Sequence, residues 1–167
     1  MTKALCFVDR EEFDQKADLL VCSNGTLDLS TGALRDHSPD DRMTHRLKVA
    51  YDPDAQCPLW QQCGGEWFPD HPEIWEFLQT WWGYSITGRT DLQMVMLNLG
   101  DGGTGKSTAH NTIHRIVEPV AWATNWATFE RKPAGSGTSD LAALAFSRIV
   151  FAAEGDTGVR MSEAVLK

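Results

Sequence analysis

Eight consecutive residues constrain this chain more than any others. Gly100-Asp101-Gly102-Gly103-Thr104-Gly105-Lys106-Ser107 fits G-x-x-x-x-G-K-[ST] without a mismatch. At ordinary residue usage, a chance match in a chain of this length falls below roughly one in a hundred. Glycines let a backbone wrap an anion with its N–H groups at φ values that a Cβ hinders. Such a loop has to join a strand to a helix. Gln93–Leu99 reads as the apolar strand entering it, and Lys106–Val117 as the helix leaving it. Ile113, Ile116 and Val117 give that helix an apolar face, and Glu118-Pro119 ends it. The fold class expected is α/β, with a partial P-loop core.

The loop predicts a nucleoside triphosphate, ATP, bound with magnesium. The cradle would run from Gly100 through Asp101, Gly102, Gly103, Thr104, Gly105, Lys106 and Ser107 to Thr108. Lys106 would place a cation on the β- and γ-phosphates, and the Ser107 hydroxyl would reach Mg2+. The helix start adds the positive end of its dipole. Hydrolysis also needs a carboxylate near the metal and the attacking water. Arg148–Ala153 is a second apolar strand, and it ends at Glu154. Glu154 is the candidate metal and water ligand, with Asp156 as an auxiliary acid; Gly155 stands where many ATPases place a second adjacent acid. Lys106, Glu154 and Asp156 are therefore the expected catalytic residues.

Upstream, residues 19–36 read as a β-meander. Leu19–Cys22 and Thr26–Leu29 flank Ser-Asn-Gly, a hairpin signal, and Ser30-Thr31-Gly32 turns into Ala33–Arg35. Ser38–Asp41 reads as a turn or a first helical turn, and Met43–Ala50 as a further strand. Residues 52–70 are rich in Pro, Gly and Gln and read as irregular. A helix follows, with Asp70 and Glu73 at capping-box spacing and Ile74, Phe77, Leu78 and Trp81 on one face. Gly83 and Gly88 mark its exit. Trp75, Trp81 and Trp82 have the chemistry to stack on bases, but aromatic residues at helical spacing predict core. Ala121–Ala127 offers a third core strand, residues 130–139 a polar loop, Ser139 or Asp140 the cap of a brief helix, and Ser162–Lys167 a last helix.

Net charge narrows the function classes. At −8 the chain lacks the basic surface that coats DNA indiscriminately. Arg42, Arg46 and Lys48, with His45, and the pair Arg131 and Lys132 are modest basic clusters that read as solvated surface. Cys6, Cys22, Cys57 and Cys63 match no zinc-ligand spacing and read as free thiols, although Cys57, Cys63 and His71 lie close in sequence. No segment approaches the ~20 apolar residues of a membrane span, and the N-terminus shows no signal-peptide pattern. The expectation is a cytoplasmic protein.

Ordered strings then resemble one family. Leu19-Leu20-Val21, Asn24-Gly25-Thr26-Leu27-Asp28-Leu29-Ser30-Thr31-Gly32, His37-Ser38-Pro39-Asp40-Asp41 and Tyr51-Asp52-Pro53-Asp54-Ala55 look like segments of phage and plasmid primase-helicases. Phe77-Leu78-Gln79, Gly83-Tyr84, Thr87-Gly88, the loop itself, Ser139–Ala142, Arg148–Val150 and Leu166-Lys167 continue the series. The resemblance implies a superfamily 3 helicase: an AAA+-like ATPase, hexameric in most members, that translocates on DNA at replication forks. It implies an N-terminal helicase-associated region at residues 1–90 and an NTPase domain at 91–167, incomplete at its C-terminus because no sensor, pore hairpin or arginine finger follows. The arginine finger would come from a neighbouring subunit. Two alternatives are a catalytically incomplete module that joins or inhibits an intact helicase, and a small P-loop kinase whose only lid candidate is residues 130–139. No NKxD-type signature supports a GTPase.

Overall fold

The computed structural model describes residues 8–130 and 139–153. The chain divides into two compact units, Met1–Ala55 and Gln56–Lys167. This division falls earlier than one at 90/91, and it leaves the two long helices before the glycine-rich loop in the same unit as that loop.

The first unit is built on a three-stranded antiparallel meander of β1 (Leu19–Cys22), β2 (Gly25–Asp28) and β3 (Leu34–Arg35). Leu20 pairs with Leu27, and Cys22 with Gly25, so the connecting loop is Ser23-Asn24. The Asn-Gly pair therefore marks the hairpin without the positive φ that ordinarily makes it a turn signal. Neither Asn24 nor Gly25 has positive φ. Asn24 instead bonds both backbone groups of Tyr51, donating Nδ2 to its carbonyl (2.8 Å) and accepting from its N–H (2.9 Å). Gly25 is needed for close approach, because a Cβ there would lie 2.6 Å from the Arg35 carbonyl oxygen. Alternation along β1 buries Leu20 and Cys22, and Leu27, Thr26 and Leu47 complete the core.

Met43–Ala50 does not form a regular strand. Two backbone bonds, Leu47 N–H to the Val21 carbonyl and Ser23 N–H to the Val49 carbonyl, tie it to β1 without a continuous ladder. Pro39–Asp41 is a 3-10 turn whose cap, the Ser38 hydroxyl, accepts from Asp40 N–H. It carries Asp41, which is buried and accepts from Arg35 Nη2 at 2.6 Å and Lys16 Nζ at 3.2 Å.

The second unit begins with α1 (Pro58–Trp67), in a stretch expected to be irregular. Proline at its first position is compatible with a helix. Gly64-Gly65 lower its propensity, but packing decides: Trp60 and Trp67 of α1 meet Trp75 and Trp82 of α2 (Pro72–Thr87) with ring centroids 4.9–5.9 Å apart. The buried positions of α2 are Trp75, Leu78 and Trp82, whereas Ile74 and Phe77 are exposed. The inward face is thus turned by about one residue from the expected Ile74-Phe77-Leu78-Trp81 stripe. The Asp70–Glu73 capping box does not form either. The N-cap is His71, with no side-chain cap, and its Nδ1 lies 3.0 Å from Glu73 Oε1. Gly88 ends α2 in the left-handed conformation, while Gly83 lies inside the helix.

Gln93–Leu99 pairs with no strand among the described residues, and Leu92, Met94, Val95, Leu97 and Leu99 are exposed. The expected entering strand is therefore an unladdered apolar segment here. After the loop come α3 (Lys106–Ile116), β4 (Ala121–Asn125), α4 (Ser139–Ala142) and β5 (Ile149–Ala153). β4 and β5 are parallel, with Ala121 opposite Ile149 and Asn125 opposite Ala153. Ala109, Val117, Val120, Ala121 and Ile149 are buried around them. No described helix is long and apolar enough to cross a membrane.

Candidate functional site

The loop Gly100–Gly105 reaches its shape through glycine. Gly100, Gly103 and Gly105 have φ of 155°, 81° and 83°, a range that L side chains rarely adopt. Gly105 is the N-cap of α3 and offers no capping side chain, so the first-turn N–H groups of α3 are not capped by it. No acidic residue stands in that first turn, and His114 and Arg115 occupy the last. The basic last turn matches the helix dipole, and a first turn without a carboxylate leaves the positive end open to an external anion.

Lys106 folds over the loop. Its ammonium donates to the carbonyls of Gly100 (2.8 Å) and Asp101 (2.7 Å) and to Thr104 Oγ1 (3.0 Å). Thr104 Oγ1 in turn donates to the Asp101 carbonyl at 2.9 Å. The cation is therefore held at the same turn as the positive-φ glycines. Ser107 and Thr108 follow on α3 and are exposed. Loop amides, an ammonium and a free hydroxyl at one helix start form a donor set that fits phosphate oxygens and, through the hydroxyl, a hard cation such as magnesium.

Glu154 and Asp156 lie outside the described residues, as do Arg131 and Lys132. β5 runs up to Ala153, the residue before Glu154. Among the described residues, no three His, Cys, Asp or Glu side chains group to hold a metal. Cys57 is exposed and Cys63 half-buried, both as free thiols.

Two further relationships surround the loop. Asn98, two residues ahead of Gly100, places Nδ2 3.0 Å from Nε2 of His110 on α3. His110 also packs against Phe151 of β5, with centroids 5.4 Å apart, and burial lowers its pKa. These groups border a cavity of about 440 Å³ that Trp81, Tyr84 and Met94 also line. In addition, the indole of Trp67 lies against Gly105. Asn98 and His110 are common residue types in no known spacing, and a tryptophan 38 positions from its glycine leaves no local pattern, so neither contact carries a sequence signal.

Residues 1–83 match the family model described as D5 N terminal like. This match supports the phage and plasmid primase-helicase family, and with it a connection to DNA replication. It ends ahead of Gly100, and so bears on the N-terminal region and not on the loop. No curated protein matches the chain.

Proposed function

From an N-terminal half similar to the D5 family of phage and plasmid primase-helicases, we propose that this chain is the ATP-binding part of a replicative DNA helicase of that kind. In this reading it is an AAA+-like, superfamily 3 motor that works as a ring. The observation that carries the nucleotide assignment is the convergence of the Lys106 ammonium on the carbonyls of Gly100 and Asp101, beside the uncapped start of α3. The Lys106 ammonium would exchange those carbonyls for the β- and γ-phosphate oxygens of ATP. The glycines at positive φ would let the N–H groups of residues 102–107 face the same oxygens. The Ser107 hydroxyl and the Glu154 carboxylate would hold magnesium, which neutralises phosphate charge when bound. Glu154 would orient the attacking water, Asp156 would assist it, and a neighbouring subunit would supply the arginine finger.

Binding of a fluorescent ATP analogue with magnesium to the wild type and to Lys106→Ala tests this. Loss of binding in the variant is the expected result. Equal binding by the two proteins, or none by the wild type, would overturn the assignment.

The exposed apolar run Leu92–Leu99 favours a second reading, a module that engages an intact helicase. Exposed apolar segments of this kind mark interaction surfaces. Inhibition of unwinding when this chain is mixed with an intact helicase of the family would support that reading, and no effect would argue against it.

A further inference from the structure

The last glycine of the loop is pinned from behind by the tryptophan cluster. Gly105 has φ 83°, and a Cβ built on it would lie 2.4 Å from both Cε2 and Nε1 of Trp67 and 2.8 Å from Cδ2. All three of its nearest atoms belong to that one indole. Trp67 is the last residue of α1, and its other ring neighbours are Trp60 at 6.0 Å and Trp75 at 5.9 Å. The ring that touches the loop thus also packs against two other rings of the cluster.

Gly105 is also the residue on which the direction of the loop turns into the direction of α3. Its carbonyl accepts from Ala109 N–H at 2.9 Å, which closes the first helical turn. Its φ and ψ set the aim of the N–H groups on either side and the root of the Lys106 side chain. A glycine without a neighbour samples φ of both signs with similar ease. An indole against its Cα restricts that sampling.

We propose that Trp67 is a positioning residue for the glycine-rich loop: its indole holds Gly105 in the left-handed conformation that aims the loop amides and Lys106 at one point. The proposal builds on the phosphate-binding reading above. Trp67 touches no reacting atom. It acts through Gly105, and it links α1, inside the family-matched region, to a loop outside it.

The test compares the full chain with Trp67→Ala, Trp67→Phe and Trp60→Ala. Trp60→Ala removes a ring of the same cluster that is not among the nearest atoms of Gly105. Two quantities are measured: hydrogen exchange of the amides at residues 103–109, and calorimetric affinity for ATP with magnesium. Trp67→Ala should accelerate exchange at 103–109 beyond Trp60→Ala. It should also weaken ATP binding by about fivefold to thirtyfold, the equilibrium equivalent of freeing one residue's backbone. Trp67→Phe should restore most of both, since a ring still covers the glycine. Exchange and affinity alike in Trp67→Ala and Trp60→Ala would overturn the proposal. If the wild type binds no ATP, the nucleotide reading fails by itself, and exchange at 103–109 alone decides the role of Trp67. Should Trp67→Ala fail to fold, Trp67→Phe against Trp67→Leu provides the same comparison.

Discussion

Gly64 lies under the indole of Trp75: a Cβ built on it would sit 2.3 Å from Cε2 and 2.4 Å from Nε1. No side chain other than hydrogen fits between α1 and that ring. Gly64→Ala must therefore push the helix or the indole away, and overpacking of a filled site costs about 1–3 kcal/mol. Its neighbour Gly65 has nothing within 4 Å of the corresponding position. Gly65→Ala should raise stability by about 0.5–1 kcal/mol through helix propensity alone. Urea titrations of the two variants, followed by tryptophan emission, check the opposite signs.

Asp41 anchors the first unit electrostatically. Its carboxylate is buried, and hydrogen bonding to Arg35, then to Lys16, holds its pKa below the ordinary value. A folded pKa that is depressed contributes stability that is complete above the unfolded pKa near 4 and lost as pH falls through the lower folded value. Asp41→Asn keeps the shape and removes the charge. It should cost about 1–3 kcal/mol at pH 7, and the difference from wild type should shrink as pH falls below 4. Denaturation at pH 7, 4 and 2.5 measures this; a difference independent of pH would contradict it.

His110 has a folded pKa below 6.5 because burial disfavours the imidazolium. The unfolded chain then takes up a proton more readily, so stability is complete above the unfolded value and falls as pH drops from about 6.5 through the folded pKa. His110→Phe keeps a ring against Phe151 and removes the titration. The wild type should lose stability between pH 7 and pH 5 by an amount that the variant does not. Thermal melts at those two pH values read the difference.

The parts of the fold that can be read from sequence are those with a local cause. The meander follows from alternation at Leu20, Cys22 and Leu27, and the helix after Gly105 starts where the loop motif places it, although Ile116 of its expected apolar face is exposed and Ala109 is the residue it buries. The parts that escape depend on partners distant in sequence. Gly64-Gly65 argue against a helix until Trp75 supplies the reason for the first of them. Along α2, Ile74, Trp75, Phe77, Leu78, Trp81 and Trp82 are apolar on several sides, so periodicity cannot choose the inward face; the tryptophan cluster chooses it. Gln93–Leu99 has strand composition, but a strand exists only when a neighbour accepts its hydrogen bonds. The loop residues Gly100–Ser107 were legible in order and type, while Trp67 behind them was not.

The loop glycines should differ in what they tolerate, and the difference has a geometric origin. Gly102 has neither positive φ nor any atom within 4 Å of a Cβ, so Gly102→Ala should leave fold and nucleotide affinity near wild type. Gly103 has φ 81° but open space, so Gly103→Ala meets backbone strain alone, about 1–2 kcal/mol for a left-handed alanine. Gly105 combines φ 83° with the indole of Trp67 at 2.4 Å. Gly105→Ala therefore meets the same strain together with a clash that only displacement of the cluster relieves. The order of damage should be Gly105, then Gly103, then Gly102, both in melting temperature and in affinity for ATP with magnesium. Making Gly105→Ala in the Trp67→Ala background separates its two causes: measured against Trp67→Ala alone, it should cost only the part due to φ. No cost in that background would mean that the left-handed conformation of Gly105 carries no strain of its own, and a cost as large as in the wild type would mean that the indole is not what the new methyl meets.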